Sequence, residues 1–303
     1  MRKRRLVRAL KWAFLAAIVV LLAFVFLVAP YALAHLITSA GTRPMDLRLT
    51  STPADFDLEF EEVSFSSRDG VGLQGWYMGG GHRGISVACG HGLFRSRREV
   101  LDRAAFLRKA GFNVLAFDFR RHGKSGGERV TLGYKERLDV EGAVDLLKAR
   151  SPEDAIALYG VSMGAAAALL AAAEMPGVRS VVADSCFLSL EHTVSHHLKL
   201  IFGLPSFPLA DEIQFFIERR GGFRGEEFDL ERAVRLIGKR PLLFVAGSRD
   251  KRMPVELQRR LYRVASDPKS RFVVIEGATH GAAYRTDPEH YQRALLDFLV
   301  HGE

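Results

Sequence analysis

The sequence predicts an α/β fold, with a mostly parallel sheet of about eight strands, helices on both faces, and one membrane-spanning helix in front of it. The first observation is a series of short apolar runs of strand length, which are typical of strands buried on both faces. Helical segments separate most of these runs, and that alternation is typical of parallel sheets. An uncharged run near the N-terminus is the third observation. The six apolar runs begin at Ile85, Phe112, Ala155, Val178, Pro241 and Arg271.

The N-terminal residues carry the signals of a membrane anchor. As a helix rising about 1.5 Å per residue, the uncharged run from Trp12 to Ala34 would cross a hydrocarbon layer of about 30 Å. Positive charge on its amino-terminal side predicts a single-pass protein of the cell membrane, with a cytoplasmic N-terminus and an extracytoplasmic folded domain. We therefore divide the chain into a basic tail and anchor (1–40) and a folded domain (41–303). The cations that precede the run are Arg2, Lys3, Arg4, Arg5, Arg8 and Lys11.

Two other interpretations of this N-terminus stay open. Ala32, Leu33 and Ala34 resemble the small-x-small site of a cleaved signal peptide, but the apolar run is longer than such peptides usually have, which favours an uncleaved anchor. The cations could also bind nucleic acid or anionic lipid. A basic cluster next to a long apolar run is more typical of membrane topology, so we expect no nucleic-acid partner.

The chain has two cysteines, Cys89 and Cys186, which is too few for a disulfide framework even though export is expected. Each stands at the end of an apolar run. We expect both to be free and buried as small hydrophobic side chains.

The remaining elements are predicted from hydrophobic alternation, turn residues and segment length. Alternation over Glu61–Ser66, a turn at Arg68–Gly70 and a second apolar segment from Leu73 predict an edge hairpin. The segment between the fourth and fifth apolar runs, about 188–240, is too long for a simple crossover and predicts a cap. Its Leu, Ile and Phe residues could roof an apolar pocket, touch the bilayer near the anchor, or only pack on the sheet. Helices are predicted from Glu99, Tyr134, Ala165 and Val255.

Ser162 stands between two glycines in "YGVSMG", where an apolar strand turns into an alanine-rich helix. This is the context of a nucleophile elbow: the glycines allow a sharp turn, the hydroxyl projects, and the helix N-terminus favours negative charge. A serine nucleophile needs a base, and the base needs an orienting carboxylate. Asp250 in "GSRD" and His280 in "GATHG" each follow a later strand, and parallel strands bring such loops to one edge. Asp184 is the reserve acid.

Together, "CGHGL", "FDFRRHGKSGGE", "YGVSMG", "GSRD" and "GATHG" resemble the motifs of α/β-hydrolases, and the likeness runs from about Glu61 to the C-terminus. More narrowly, the chain is similar to bacterial single-span-anchored hydrolases described as esterases or serine-aminopeptidase-like (S33-like) proteins. The resemblance implies that the backbone N–H groups of Leu93 and Met163 form an oxyanion hole. It also implies a structural role for His91 and for the turn after Phe119, where Arg121 replaces the family's glycine.

The function expected from these residues is a serine hydrolase of the carboxylesterase type, which cleaves small to medium acyl esters through an acyl-enzyme on Ser162. An amide-cleaving peptidase is the alternative, and a non-catalytic membrane-tethered binding protein is a more distant one. No cofactor, metal or nucleotide is expected. Gly123-Lys124-Ser125 resembles the end of a phosphate-binding loop, but Asp118 stands where that motif needs glycine, and the histidines near 192–197 lack zinc-ligand spacing.

Overall fold

An eight-stranded sheet forms the centre of the molecule, in a computed structural model that describes residues 2–301. The strand order is β1-β2-β4-β3-β5-β6-β7-β8; β1 and β2 form an antiparallel edge hairpin, and the strands from β4 to β8 are parallel. This confirms the predicted sheet. The bounds are β1 (Glu61–Ser66), β2 (Gly72–Met78), β3 (Ile85–Gly90), β4 (Asn113–Asp118), β5 (Ala155–Val161), β6 (Val178–Asp184), β7 (Leu242–Gly247) and β8 (Arg271–Ile275).

Helices precede, separate and cover the strands. A π-helical turn at Phe24–Val28 joins the first two into one continuous rod, and short 3₁₀ turns occur at Pro53–Phe56, Arg97–Val100 and Gly225–Glu227. The helices are α1 (Arg2–Ala23), α2 (Ala29–Thr38), α3 (Pro44–Leu47), α4 (Leu101–Lys109), α5 (Glu136–Arg150), α6 (Met163–Glu174), α7 (Leu190–Phe202), α8 (Leu209–Gly221), α9 (Leu230–Ile237), α10 (Val255–Val264), α11 (Ala283–Thr286) and α12 (Pro288–His301).

Hydrophobic cores lie on both faces of the sheet, which explains the continuous apolar runs. Every residue of β3, β4 and β7 is buried. Helices α5, α6 and α9 contribute to one core, whereas α4 and α12 contribute to the other. Cys89 and Cys186 are free and buried, one in each core, as predicted. Burial raises the pKa of both thiols, so they remain protonated.

Between β6 and β7 the chain forms α7, α8 and α9, and α7 and α8 pack against each other. The rod of α1 and α2 contains a helix, Lys3–Thr38, that is long and apolar enough to cross a membrane. Its first part is exposed, but α2 packs on α8 and buries Ala34 and Thr38 completely. The division at residues 40 and 41, with a cap insertion at about 188–240, stays a prediction.

Candidate active site

Ser162 occupies a strained turn between β5 and α6, with φ 55° and ψ −113°. Residues with a Cβ rarely adopt a positive φ, and such strain is typical of functional positions. The flanking glycines are needed for close packing: a Cβ on Gly160 would lie 2.2 Å from the carbonyl oxygen of Gly164, and one on Gly164 would lie 2.5 Å from that of Gly90. The turn therefore holds the serine hydroxyl out at the carboxyl edge of the sheet.

His280 and Asp250 reach Ser162 from the loops after β8 and β7. His280 Nε2 lies 3.1 Å from Ser162 Oγ, and His280 Nδ1 lies 2.8 Å from Asp250 Oδ2. Asp250 is fully buried at its side chain, and its other oxygen accepts hydrogen bonds from the backbone N–H groups of Arg252 and Met253, each at 2.9 Å. This carboxylate fixes the proton on Nδ1, which leaves Nε2 able to accept the serine proton.

The loop after β3 leaves one backbone donor unused beside the serine. The N–H of Gly92 donates to Glu99 Oε2 at 2.7 Å, that of Phe94 to His122 Nε2 at 3.3 Å, and that of Arg95 to the carbonyl of Gly92 at 3.2 Å. Within residues 2–301, neither the N–H of Leu93 nor that of Met163 has a protein acceptor. Both residues border the same cavity as Ser162. Two amides are thus available to an anionic oxygen there.

Two neutral histidines hold this loop in place through hydrogen bonds with its backbone. His91 Nδ1 donates to the carbonyl of Gly92 at 2.7 Å, since His91 Nε2 must accept from the N–H of Phe119 at 3.0 Å. His122 has the same tautomer, with Nδ1 donating to the carbonyl of Arg120 at 2.9 Å. Burial lowers the pKa of each to about 4. Both rings have their nitrogens occupied by backbone groups, so they support the site and do not act as bases.

Known proteins resemble this chain in sequence and in fold. A family model described as "Serine aminopeptidase, S33" matches residues 81–210. The Pyrococcus furiosus esterase Pf2001 is 32% identical, with a TM-score of 0.71 over 86% of this chain and 98% of its own. The uncharacterized protein YqkD of Bacillus subtilis is 30% identical over 80% of this chain and 80% of its own. The chain belongs to the α/β-hydrolase superfamily. An acylaminoacyl peptidase of Pyrococcus horikoshii, 16% identical with a TM-score of 0.57 over 78% of this chain and 40% of its own, shares the fold alone.

In this hydrolase, Asp184 makes no hydrogen bond to His280. Its carboxylate accepts from Tyr291 Oη at 2.8 Å and from Ser185 Oγ at 2.9 Å, and Tyr291 Oη lies 2.9 Å from Tyr159 Oη. Burial raises the pKa of Asp184. Ser185 in turn accepts a hydrogen bond from the N–H of Gly281, the residue after His280, at 3.1 Å. Asp184 thus supports the histidine loop through Ser185 and is not the triad acid in this geometry.

Sequence reasoning missed two charged residues beneath the hydrolase site. Arg103 is buried and donates to the carbonyl of Gly281 at 3.0 Å and to that of Glu99 at 2.8 Å. Glu99 holds Gly92, and Arg95 Nε lies 2.9 Å from its carboxylate. Burial raises the pKa of Glu99. Both residues sit in a charged stretch that resembles any solvated helix face, so no local signal marks them.

An apolar cavity of about 250 Å³ opens beside Ser162 in the hydrolase. Its walls come from α2, from the loop after β3, from the start of α6, and from α7 and α8. The polar groups among its described lining residues are Ser162, Thr193, His197 and Arg252. No Asp or Glu is among them. Within residues 2–301, no three His, Cys, Asp or Glu side chains are grouped as metal ligands would be.

Proposed function

We propose that this hydrolase is a serine esterase that cleaves carboxylic acyl esters of small to medium size through a covalent acyl-enzyme. The observation that carries the proposal is the hydrogen-bonded series Asp250, His280 and Ser162 at the edge of an apolar cavity that two unpaired backbone N–H groups also border. The 32% identity to an esterase supports it.

In the proposed reaction, His280 Nε2 takes the proton of Ser162 as Oγ attacks the ester carbonyl carbon. The carbonyl oxygen becomes an oxyanion, which the N–H groups of Leu93 and Met163 stabilise together with the N-terminus of α6. His280 then gives its proton to the departing alcohol. Water, deprotonated by His280, attacks the acyl-enzyme, and the carboxylic acid leaves as Ser162 regains its proton. Asp250 stabilises the imidazolium in both halves.

The cavity favours an acyl ester over an N-terminal peptide. An aminopeptidase must hold the charged α-amino group of its substrate, and a buried cation needs a paired charge. The described lining offers no carboxylate for this purpose, and its charged side chain is a cation, Arg252. Apolar walls suit a hydrocarbon acyl chain. Amide cleavage remains the second candidate, because the matching family model carries the name serine aminopeptidase.

The first test compares the full chain with Ser162→Ala. We expect Ser162→Ala to lose labelling by a fluorophosphonate and to lower kcat on p-nitrophenyl butyrate by roughly four to six orders of magnitude. Ser195→Ala is the matched control, since that serine lies on α7 and is not part of the cavity lining. Labelling of Ser162→Ala at the wild-type rate would show that Ser162 is not the nucleophile. Faster turnover of aminoacyl p-nitroanilides than of esters would favour the peptidase.

We also propose that the rod anchors the protein as a single-pass membrane protein, with the N-terminus cytoplasmic and the hydrolase domain extracytoplasmic. The six N-terminal cations on one side of one long apolar helix support this orientation.

A further inference from the structure

The C-terminal part of the anchor helix is a wall of the acyl cavity. Leu33, Leu36 and Ile37 of α2 line the same cavity as Ser162. Residues of α7 line it as well, among which Leu198 is buried and Ile201 is exposed. A helix that served only as a tether would not need to contribute side chains to the substrate cavity.

Hydrogen bonds fix the end of this helix to α8, and the residues that follow it to the loop after β3. Arg220 Nε on α8 donates to Thr38 Oγ1 at 2.7 Å, and the N–H of Val130 donates to the carbonyl of Thr38 at 2.9 Å. Further on, Thr42 Oγ1 donates to the carbonyl of Arg95 at 2.8 Å. The N–H of Arg43 donates to the carbonyl of Phe94, next to Leu93, at 2.9 Å. The anchor and the oxyanion loop therefore keep a set distance from each other.

The aromatic residues of the rod place the cavity at the membrane interface. Tryptophan and tyrosine favour the boundary between hydrocarbon and water, and Trp12 and Tyr31 are separated by about 28 Å at about 1.5 Å per residue, close to the hydrocarbon thickness of about 30 Å. Leu33 to Ile37 follow Tyr31 within two turns. Tyr31 also contacts α8, where Phe216 packs edge-on at 5.5 Å between ring centroids. The cavity thus begins where the hydrocarbon ends.

The rim of the cavity is exposed and apolar. Leu36, Ile201 and Phe202 line the cavity yet are 63%, 64% and 52% exposed. Beyond them, Phe215 packs on Phe216 and is 55% exposed. A contiguous apolar surface of this kind marks a binding or membrane-contact site. Because this apolar surface is continuous with the anchor, we expect the bilayer to cover it.

We propose that the substrate is an acyl ester resident in the bilayer, whose acyl chain enters laterally between α2 and α7 and lies against Leu33, Leu36 and Ile37. The cavity, at about 250 Å³, is smaller than the roughly 300–1,000 Å³ of drug-sized sites, so it accommodates one acyl chain while the rest of the lipid stays in the membrane. The inference rests on the proposed esterase function and adds to it the phase from which the ester comes.

The test uses the full chain reconstituted in vesicles of diether phosphatidylcholine, which contain no carboxylic ester of their own. The probe is an alkyl-acyl glycerol whose ether-linked hexadecyl chain keeps it in the bilayer and whose single decanoyl ester can be cleaved; soluble p-nitrophenyl acetate is the second substrate. Leu36→Trp adds a bulky side chain to the α2 wall of the cavity. Leu27→Trp is the matched control, because Leu27 is 56% exposed on the same rod and is absent from the cavity lining.

We expect Leu36→Trp to lower the ratio of decanoate release to p-nitrophenyl acetate turnover by at least about fivefold, and Leu27→Trp to leave both rates unchanged. The wild-type enzyme should also cleave the glycerol ester faster when both share one vesicle than when they occupy separate vesicles. Equal rates in shared and separate vesicles would overturn the lateral route. So would an absence of decanoate release together with normal acetate turnover. Neither result would contradict the proposed esterase function. Absence of Ser162-dependent turnover of either ester would overturn the esterase. If Leu36→Trp loses acetate turnover as well, the vesicle comparison decides.

Discussion

Arg121 adopts a left-handed backbone conformation, with φ 63°, in the turn after β4. The family resemblance led us to expect glycine at this position, and the conformation explains that preference, since a residue with a Cβ pays about 1 kcal/mol there. The arginine makes a contact that glycine cannot make: its Nε donates to the carbonyl of Ser39 at 3.0 Å. Arg121 therefore strains the backbone of the turn but links the turn to the end of α2.

Two substitutions of Arg121 should differ in stability. Arg121→Ala loses the contact to Ser39 and keeps the strained φ, whereas Arg121→Gly loses the contact and relieves the strain. We expect Arg121→Gly to be the more stable of the two by about 1 kcal/mol, measured as the difference in thermal unfolding in detergent micelles. An alanine variant as stable as the glycine variant would show that the turn relaxes and stores no strain.

The residues of the site differ in whether a short sequence motif marks them. Ser162, Asp250 and His280 could be predicted because each sits in a short motif at the end of a strand. Arg103 could not, because its partner Gly281 is 178 positions away, and only the fold brings them together. Glu99 was also missed, although its partner Gly92 is only seven positions away, because the charged stretch around it carries no motif.

At the scale of elements, the loop from Gly90 to Arg95 depends on two histidines that must stay neutral. Both pKa values fall to about 4 in the folded protein, against an ordinary value of about 6.5. Between these values the unfolded chain binds protons that the folded chain does not, so stability rises with pH there. The contribution is complete above about pH 6.5 and is lost as the pH falls towards 4.

We therefore expect the thermal midpoint to fall steadily from about pH 6.5 to about pH 4. His91→Gln removes one titrating group and should give a shallower decline, even though its midpoint at neutral pH is lower. Scanning calorimetry across this range measures both slopes. Parallel curves for wild type and His91→Gln would mean that other groups cause the acid sensitivity.

Strands and helices were predicted well because their signals are local. The run from Ala155 became β5 at the same first residue, and the helix predicted from Val255 begins there as α10. The role of α2 was not predicted, because Leu33 and Ile37 read as ordinary membrane residues. Their contact with the cavity depends on α8, far away in the sequence, and on the hydrogen bonds of Thr38.

The whole molecule has an asymmetric charge distribution about the candidate span found within residues 2–301, and this asymmetry predicts its orientation. With a C-terminal alkaline phosphatase fusion we expect high phosphatase activity in cells, and with green fluorescent protein at the same position we expect little fluorescence. Replacing the six cations before Trp12 by Gln should reduce this contrast. A bright fluorescent fusion of the wild-type chain would place the domain in the cytoplasm.

Under the proposed lateral route, the concentration that governs the reaction is that of the ester within the membrane. An enzyme whose substrate cavity opens at the bilayer surface meets its ester in two dimensions, so its rate follows the mole fraction of ester among the lipids. Adding inert lipid at constant total ester would slow turnover, although the amount of ester per volume is unchanged. On this proposal the affinity of the enzyme is a surface density, because hydrogen bonds from Thr42 and Arg43 hold the chain after α2 against the loop that carries Leu93.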